Sequence, residues 1–92
     1  MIRSMELPVP AEQYFSDFSF DMTEFQVRRA GKLIGTVKGL TNSEYGKRYI
    51  HVALDSDVCV NDTLASPYGD HKVTTLVIDT YMGKPELMRV HY

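Results

Sequence analysis

The sequence has a single cysteine, no tryptophan and no long run of apolar residues. One cysteine, Cys59, excludes an internal disulfide and is consistent with a reducing compartment. No stretch approaches the roughly eighteen apolar residues of a transmembrane helix. The first residues lack the basic and apolar regions of a secretory signal. We therefore expect a cytoplasmic protein that does not contact a membrane.

The composition is that of one small folded domain. The chain has 92 residues, of which 43% are hydrophobic and 24% charged, so a disordered chain is not expected. Six tyrosines and four phenylalanines supply much of the material for a core. We expect a single β-rich domain over residues 1–92. Pro8 and Pro10 predict that residues 1–10 form an extended leader.

Alternating apolar and polar residues predict a mainly β fold. We expect a small barrel or strongly bent antiparallel sheet of about five strands. Residues 25–38 read as a hairpin turning at Ala30-Gly31. Residues 47–55 read as a strand with Ile50, Val52 and Leu54 facing inwards. One short helix beginning near Pro10 gives an α+β alternative, although residues 14–22 fit a strand nearly as well.

The remaining segments follow turn and strand patterns. Gly35 and Gly39 in the returning strand suggest a bulge, a bend or a close backbone approach. Residues 41–46, 66–70 and 83–85 read as a loop and two turns. Residues 56–64 read as a short strand or bend, residues 71–82 as one long β-branched strand, and residues 86–92 as a last strand. On that last strand, Met88, Val90 and Tyr92 share one face.

Charge is distributed unevenly along the chain, although the net charge is only −2. Residues 1–24 carry a charge of −4, residues 25–48 a charge of +5 and residues 49–92 a charge of −3. Such asymmetry bears on association rather than on fold. The acidic and aromatic residues 12–25 could dock onto a basic partner surface. Alternatively, their aromatic rings belong to the core and their acidic side chains only face solvent.

The basic middle of the chain is the best candidate for a contact surface. Basic side chains and tyrosines on a sheet could contact a protein, could hold a nucleic acid, or could only solvate an exposed face. The candidate binding residues are Arg28, Arg29, Lys32, Lys38, Tyr45, Lys47, Arg48 and Tyr49.

No residue pattern predicts catalysis or a bound cofactor. The histidines at 51, 71 and 91 lack the spacing of a local metal site, so we expect no metal. Cys59 between Val58 and Val60 reads as a packed, inert thiol. A small hydrolase or metal protein would require His51, Cys59 or His71 to converge in space. We expect no catalytic residues, no cofactor and no enzyme activity.

Residues 35–60 resemble the start of a cold-shock domain, an OB-like five-stranded barrel that binds nucleic acids. Gly35, Val37, Lys38 and Gly46 match its pattern of a Gly-x-Val-Lys strand, a loop and a glycine-containing strand. Tyr49 and Ile50 match loosely. Gly39 and Leu40 stand where that family has stacking aromatics. The resemblance implies a barrel-like sheet and, less directly, nucleic-acid binding.

Residues 55–92 resemble the small SH3-like barrels found in phage structural and accessory proteins. Val58, Asp62, Leu64 and Gly69 match the pattern of a valine, a Gly-Asp pair and a leucine followed by a turn glycine. Asn61 replaces the first glycine, and asparagine also accepts left-handed turn geometry. This resemblance implies a fold rather than a chemistry.

These observations predict a non-enzymatic protein that acts through protein–protein interaction. We expect a phage or mobile-element protein, placed in the host cytoplasm. It would inhibit a host nucleic-acid-processing defence complex, as anti-CRISPR proteins do, or serve as a small accessory or structural module. Direct binding of single-stranded or duplex nucleic acid is the alternative. An uncovered sheet edge would also permit a homodimer.

Overall fold

The chain folds into one short helix, a 3₁₀ turn and a seven-stranded sheet. The computed structural model of the protein describes residues 3–44 and 46–92. The helical elements are α1 (Ala11–Asp17) and the 3₁₀ turn (Ser19–Asp21). The strands are β1 (Thr23–Arg29), β2 (Lys32–Glu44), β3 (Lys47–Ala53), β4 (Thr63–Ser66), β5 (Gly69–Lys72), β6 (Thr75–Tyr81) and β7 (Lys84–His91).

The strands form one antiparallel sheet in the order β5-β4-β1-β2-β3-β7-β6, which curls into a half-barrel. The mainly β prediction and the short N-terminal helix are confirmed. The expected strand number was too low, because the sheet has seven strands and not five. None of the described helices is long and apolar enough to cross a membrane.

The single long strand predicted over residues 71–82 is instead two strands, β5 and β6, which lie at opposite edges of the sheet. β5 pairs with β4, and β6 pairs with β7. Val73 and Thr74 join them: Val73 N–H donates to the Asp62 carbonyl at 2.9 Å and Thr74 N–H to the His91 carbonyl at 2.8 Å. A single β-branched segment therefore connects both margins of the sheet, and this connection requires the sheet to curl.

The β1–β2 hairpin turns where the sequence predicts. Ala30 and Gly31 both have positive φ, 52° and 79°. Two consecutive positive φ values are the mark of a type I′ turn, whose twist suits the flanking strands. Arg29 and Lys32 close the ladder on either side of it.

β2 runs further than the sequence predicts. The expected loop at residues 41–46 is strand as far as Glu44, and Thr41 and Asn42 pair with Ile50 and Tyr49 of β3. Cross-strand pairing overrides the weak strand propensity of this polar segment.

Gly39 allows β2 and β3 to approach closely. Of the predicted alternatives, a bulge, a bend or a close backbone approach, the third is the one seen at this position. A Cβ at position 39 would collide with the Ile50 side chain and lie 2.9 Å from the His51 carbonyl oxygen. Gly35 has no atom within 4 Å of such a Cβ, although the β1–β2 register shifts nearby, between Val27 and Arg28.

One face of the sheet forms the hydrophobic core. The buried cluster consists of Phe25, Val27, Ile50, Val52, Val58, Leu64, Val73, Met88 and Val90. Val37, Leu76 and Tyr92 pack against it and are partly buried. The predicted inward face of the last strand is therefore confirmed. Leu54 does not join this core: it lies beyond β3 and is 42% exposed.

The opposite face of β3, β6 and β7 is covered by residues 3–21, which we call the N-terminal cover. Tyr14 of α1 contacts His51 of β3. The Ala11 N–H donates to a Glu86 carboxylate oxygen at 2.7 Å. The leader adds a parallel bridge to β6 at Glu6 and Thr80. β3 and β7 are therefore buried on both faces, which a simple alternating pattern does not predict.

Candidate binding groove

A groove of about 550 Å³ opens where the N-terminal cover meets the β4–β5 turn. Its floor reaches the aromatic edge of the hydrophobic core, because Phe25 belongs to both. The groove is lined by Phe20, Asp21, Met22, Thr23, Phe25, Thr41, Ser66, Tyr68, His71 and Tyr92. Five of these ten side chains are aromatic rings, counting histidine, so the groove can offer flat apolar surface to a partner.

The floor contains a series of planar groups in contact. The rings of His71 and Tyr92 stack with centroids 4.0 Å apart and planes 25° apart. The Arg48 guanidinium lies 5.2 Å from the Tyr92 ring centroid. On the other side, the His71 ring lies 6.4 Å from Phe25. These contacts hold Tyr92 and His71 in place, so the floor is ordered before any partner binds.

Two exposed aromatic side chains form the margins of the groove. Phe20, in the 3₁₀ turn, is fully exposed at 101%, and Tyr68, between β4 and β5, is 85% exposed. Tyr68 is held by its turn, since its N–H donates to Ser66 Oγ at 3.2 Å while that hydroxyl donates to the Gly69 carbonyl. Large apolar rings exposed together on one groove are typical of interaction sites rather than of ordinary surface.

The groove carries little charge. Of the described residues that line it, Asp21 alone has a formal charge at neutral pH. Burial, with Arg48 nearby, lowers the pKa of His71 below its ordinary value, so this imidazole is neutral at pH 7. The lining is thus aromatic with one carboxylate, and the Arg48 guanidinium lies against its Tyr92 ring from outside the lining.

Sequence reasoning did not select this groove. Its rings come from three distant segments, around residues 20, 68 and 92, which only the fold brings together. One signal was available: Tyr68 lies in the Ser-Pro-Tyr-Gly turn, and a tyrosine at the tip of a tight turn has no core to enter.

The predicted basic surface is spread over the molecule. Arg28 and Lys32 lie near the β1–β2 turn, at the opposite end of β2 from Lys47 and Arg48. Lys38 lies between them, opposite Glu24 on β1. Tyr45 lies outside the described residues. These side chains therefore do not lie together on a single face.

Two of the predicted surface residues are engaged inside the protein. Arg29 donates to both carboxylate oxygens of Asp62 at 2.9 Å and to Asp57 at 3.0 Å. Tyr49 is only 6% exposed and packs beside His51 and His91. Its outward-pointing position on β3 was predicted, but α1 and its neighbours cover that face. Of the predicted residues that the structure describes, Arg48 alone contacts a ring of the groove.

A buried polar cluster lies beneath the N-terminal cover. Asp79 is 0% exposed and receives two hydrogen bonds from Arg89, from Nε and Nη2, each 3.0 Å long. The leader completes the cluster, since the Met5 N–H donates to Asp79 at 2.8 Å and Arg89 donates to the Arg3 carbonyl. Such saturation of a buried ion pair is characteristic of a structural element.

The three histidines and Cys59 do not converge. His51 and His91 belong to the buried face, whereas His71 lies in the groove. Cys59 is exposed, so the prediction of a packed thiol was wrong: the segment after β3 is irregular, and only Val58 reaches the core. Within residues 3–44 and 46–92, no group of three or more histidine, cysteine or acidic side chains could hold a metal ion.

Comparison with known proteins adds no further information. No family model matches the chain, and neither a curated protein nor a solved structure matches it. The resemblance to SH3-like and cold-shock barrels therefore stays a prediction.

Proposed function

We propose that the protein is a binding protein that recognises another protein through the groove between Phe20 and Tyr68. The observation that carries the proposal is the pair of exposed rings, 101% and 85% exposed, on either side of a preformed aromatic floor. Aromatic residues are the side chains that most often dominate binding energy at protein interfaces. They also supply contact area at a low cost in conformational entropy.

The chemistry of the groove favours a partner segment that carries lysine or arginine. Cations bind over aromatic faces, each contact contributing about 0.5–2 kcal/mol. Asp21 supplies the one formal charge of the described lining, and it is negative. A basic segment would therefore gain both stacking and charge complementarity.

Nucleic-acid-processing complexes present surfaces rich in lysine and arginine, because they bind phosphates with these side chains. The specific form of our proposal is an inhibitor that occupies such a basic surface, as anti-CRISPR proteins do. The acidic, aromatic residues 12–25, which contribute Phe20 and Asp21 to the groove, support this form of the proposal.

Direct binding of a single-stranded nucleic acid is the second candidate. The observation that favours it is the contact series of Arg48, Tyr92 and His71. Proteins that bind single strands combine basic side chains with rings on which bases stack. The negative lining of the groove ranks this function below protein binding.

A peptide selection distinguishes the two candidates. Peptides of twelve residues selected from a random library on the immobilised protein should be enriched in arginine or lysine. The labelled peptides should bind in fluorescence anisotropy, and Phe20→Ala and Tyr68→Ala should each weaken them about tenfold or more. Leu33→Ala is the matched control, since Leu33 is an apolar residue 59% exposed outside the groove lining.

A labelled twelve-nucleotide oligothymidine serves as the competing probe. Binding that weakens steeply with salt and is lost in Arg48→Ala would replace the protein-binding proposal with the nucleic-acid one. Selected peptides without basic residues would refute the proposed partner. Peptides that bind Phe20→Ala and Tyr68→Ala with the same affinity as the unmodified protein would refute the proposed groove.

A further inference from the structure

The N-terminal cover is attached to the sheet by several hydrogen bonds. Its backbone bonds the side chains of Asp79, Arg89 and Glu86. Two further backbone hydrogen bonds join the leader to Thr80. The Leu7 N–H donates to the Thr80 carbonyl at 2.7 Å, and the Thr80 N–H donates to the Met5 carbonyl at 2.9 Å. One buried apolar side chain in the cover, Ala11, is 8% exposed. The attachment therefore combines hydrogen bonds with partial apolar burial, since Leu7, Val9, Tyr14 and Phe15 are half-buried.

The hydrophobic core does not depend on the cover. The described members of the core cluster begin at Phe25, and all of them come from the strands and the segments between β3 and β6. Segments with few buried apolar contacts open at lower free energy than the core. Release of the cover would therefore leave this cluster intact.

One tie between the cover and the sheet depends on an uncharged histidine. The Tyr14 hydroxyl lies 2.8 Å from His51 Nδ1. His51 Nε2 is buried without a hydrogen-bond partner, 3.8 Å from an Asp79 oxygen. A hydrogen on Nε2 points its positive end at that carboxylate, whereas a lone pair there would be repelled. Nδ1 is therefore the acceptor, and Tyr14 donates to it.

A proton added to His51 would remove that acceptor. Nδ1 would then carry hydrogen, and it would face both the Tyr14 hydroxyl and the Asn42 amide nitrogen, which lies 3.4 Å away. The hydroxyl could turn to accept, but the amide nitrogen carries only hydrogens. The hydrogen bond between Tyr14 of α1 and His51 of β3 therefore suits the neutral imidazole and not the protonated one.

The groups around His51 do not favour its charged form. They are Tyr14 of α1, Asn42 of β2, Tyr49 of β3, Asp79 of β6, and Arg89 and His91 of β7. Asp79 is the one carboxylate among them, and Arg89 already forms two hydrogen bonds with it. Burial, opposed by Asp79 and assisted by Arg89 and His91, lowers the pKa of His51 to about 4.

We propose that the N-terminal cover is an acid-sensitive latch: protonation of His51 releases residues 3–21 from β3, β6 and β7 while the half-barrel remains folded. Release exposes the second face of the sheet, with Tyr49, Leu87 and Arg89, which the closed form buries. The latch does not rest on the function proposed for the groove, although release of residues 3–21 would also move Phe20 and Asp21, which line it.

The expected size of the effect follows from proton linkage. In the released form His51 is solvated and titrates near 6.5, so that form binds the proton at a higher pH than the closed form does. Well above pH 6.5 neither form is protonated, so the balance between the two forms does not change with pH. Below it, the released population rises about tenfold for each pH unit down to about 4, or about 300-fold altogether.

Hydrogen exchange measured by mass spectrometry tests the latch. Exchange is followed between pH 7.5 and 4.5 and corrected for the intrinsic pH dependence. Peptides from residues 3–21 should lose protection about tenfold per pH unit below 6.5, while peptides from β1 and β2 keep theirs. Loss of protection in both regions together would mean global unfolding and would overturn the proposal.

Two substitutions identify the titrating group. His51→Gln keeps an acceptor for Tyr14 and a donor towards Asp79 but does not titrate, so residues 3–21 should stay protected at pH 5. His71→Gln, the matched control, removes a histidine that does not contact the cover, so exchange of residues 3–21 should keep its pH dependence. A pH dependence that persists in His51→Gln, or that disappears only in His91→Gln, would refute His51 as the trigger.

Tyr14→Phe provides a second test if His51→Gln does not fold. It removes only the hydroxyl that bonds Nδ1, so the cover should exchange about fivefold faster at pH 7.5, the equivalent of a net hydrogen bond of about 1 kcal/mol. Its pH dependence should persist, because His51 stays buried beneath the ring. Unchanged exchange at pH 7.5 would show that Tyr14 does not hold the cover.

Discussion

Arg89 of β7 and Asp79 of β6 lie diagonally across the two paired strands and form a buried ion pair, joined by two hydrogen bonds of 3.0 Å. The sheet positions both residues, and the N-terminal cover supplies their remaining partners. Residues 3–5 bond this pair from the opposite end of the sequence. The cluster therefore links the last hairpin of the sheet to the first residues of the chain.

Removal of the guanidinium should destabilise the protein strongly. Arg89→Met leaves the Asp79 carboxylate buried and unpaired, so the free energy of unfolding in urea should fall by about 3–5 kcal/mol. The double variant Asp79→Leu/Arg89→Met should recover part of this loss, because apolar replacement of a whole buried pair is often tolerated. A loss below about 1 kcal/mol in Arg89→Met would contradict this account.

The two glycines of β2 should respond differently to alanine. Gly39→Ala places a methyl group against Ile50 and the His51 carbonyl, so it should lower the free energy of unfolding by about 1–3 kcal/mol. Gly35→Ala meets no atom within 4 Å and should change stability by less than about 0.5 kcal/mol or increase it slightly. Equal effects in thermal unfolding would refute the close approach at Gly39.

The Arg29–Asp62 ion pair should contribute to the stability of the fold, whereas the neighbouring Arg28 should not. Arg29→Met removes both hydrogen bonds to the 1% exposed Asp62, so the urea midpoint of unfolding at pH 7 should fall clearly. Arg28→Met is the matched control: Arg28 is exposed and donates a 3.4 Å hydrogen bond to Gln26 on its own strand. Arg28→Met should therefore stay within about 0.5 kcal/mol of the unmodified protein.

The same pair should shape stability in acid. The hydrogen bond from Arg29 lowers the pKa of Asp62 below its ordinary 3.8. The unfolded chain therefore takes up this proton at a higher pH than the folded chain does. The resulting stabilisation is complete above about pH 5 and is lost as pH falls through the lowered pKa. Urea midpoints from pH 5 to 2 should fall less in Arg29→Met than in the unmodified protein.

Cys59 should react in the folded protein. It is exposed, in the segment between β3 and β4. Ellman's reagent should therefore label one thiol per chain without denaturant, at a rate close to that of a free thiol. Labelling that needs urea would instead support the packed thiol expected from Val58 and Val60.

Strands and turns with a strong local signal were predictable. Ala30-Gly31 favours a tight hairpin turn in any context, since glycine accepts positive φ readily. Ile50 and Val52, like Met88 and Val90, alternate with polar residues, and period-two alternation indicates which side chains share a face. These features depend on neighbouring residues alone.

The candidate sites were not predictable in the same way. Phe20, Tyr68 and Tyr92 are distant in sequence and meet only after the sheet curls. Asp79 and Arg89 lie within apolar strands, and the pattern shows that they are charged but not that they are partners. Tyr49 and Arg29 suggested a surface, but Tyr49 packs beside His51 and His91, and the Asp62 carboxylate binds Arg29.

The amino-acid sequence by itself determined the β class, the hairpin turns and the apolar face of the main strands, because propensity, turn chemistry and alternation act over a few residues. The tertiary structure decided how many strands the sheet has, which polar face is buried and where aromatic rings form a groove. Those outcomes depend on contacts between distant residues, such as Tyr14 with His51 or His71 with Tyr92. The energies of such contacts exist only once the chain has folded.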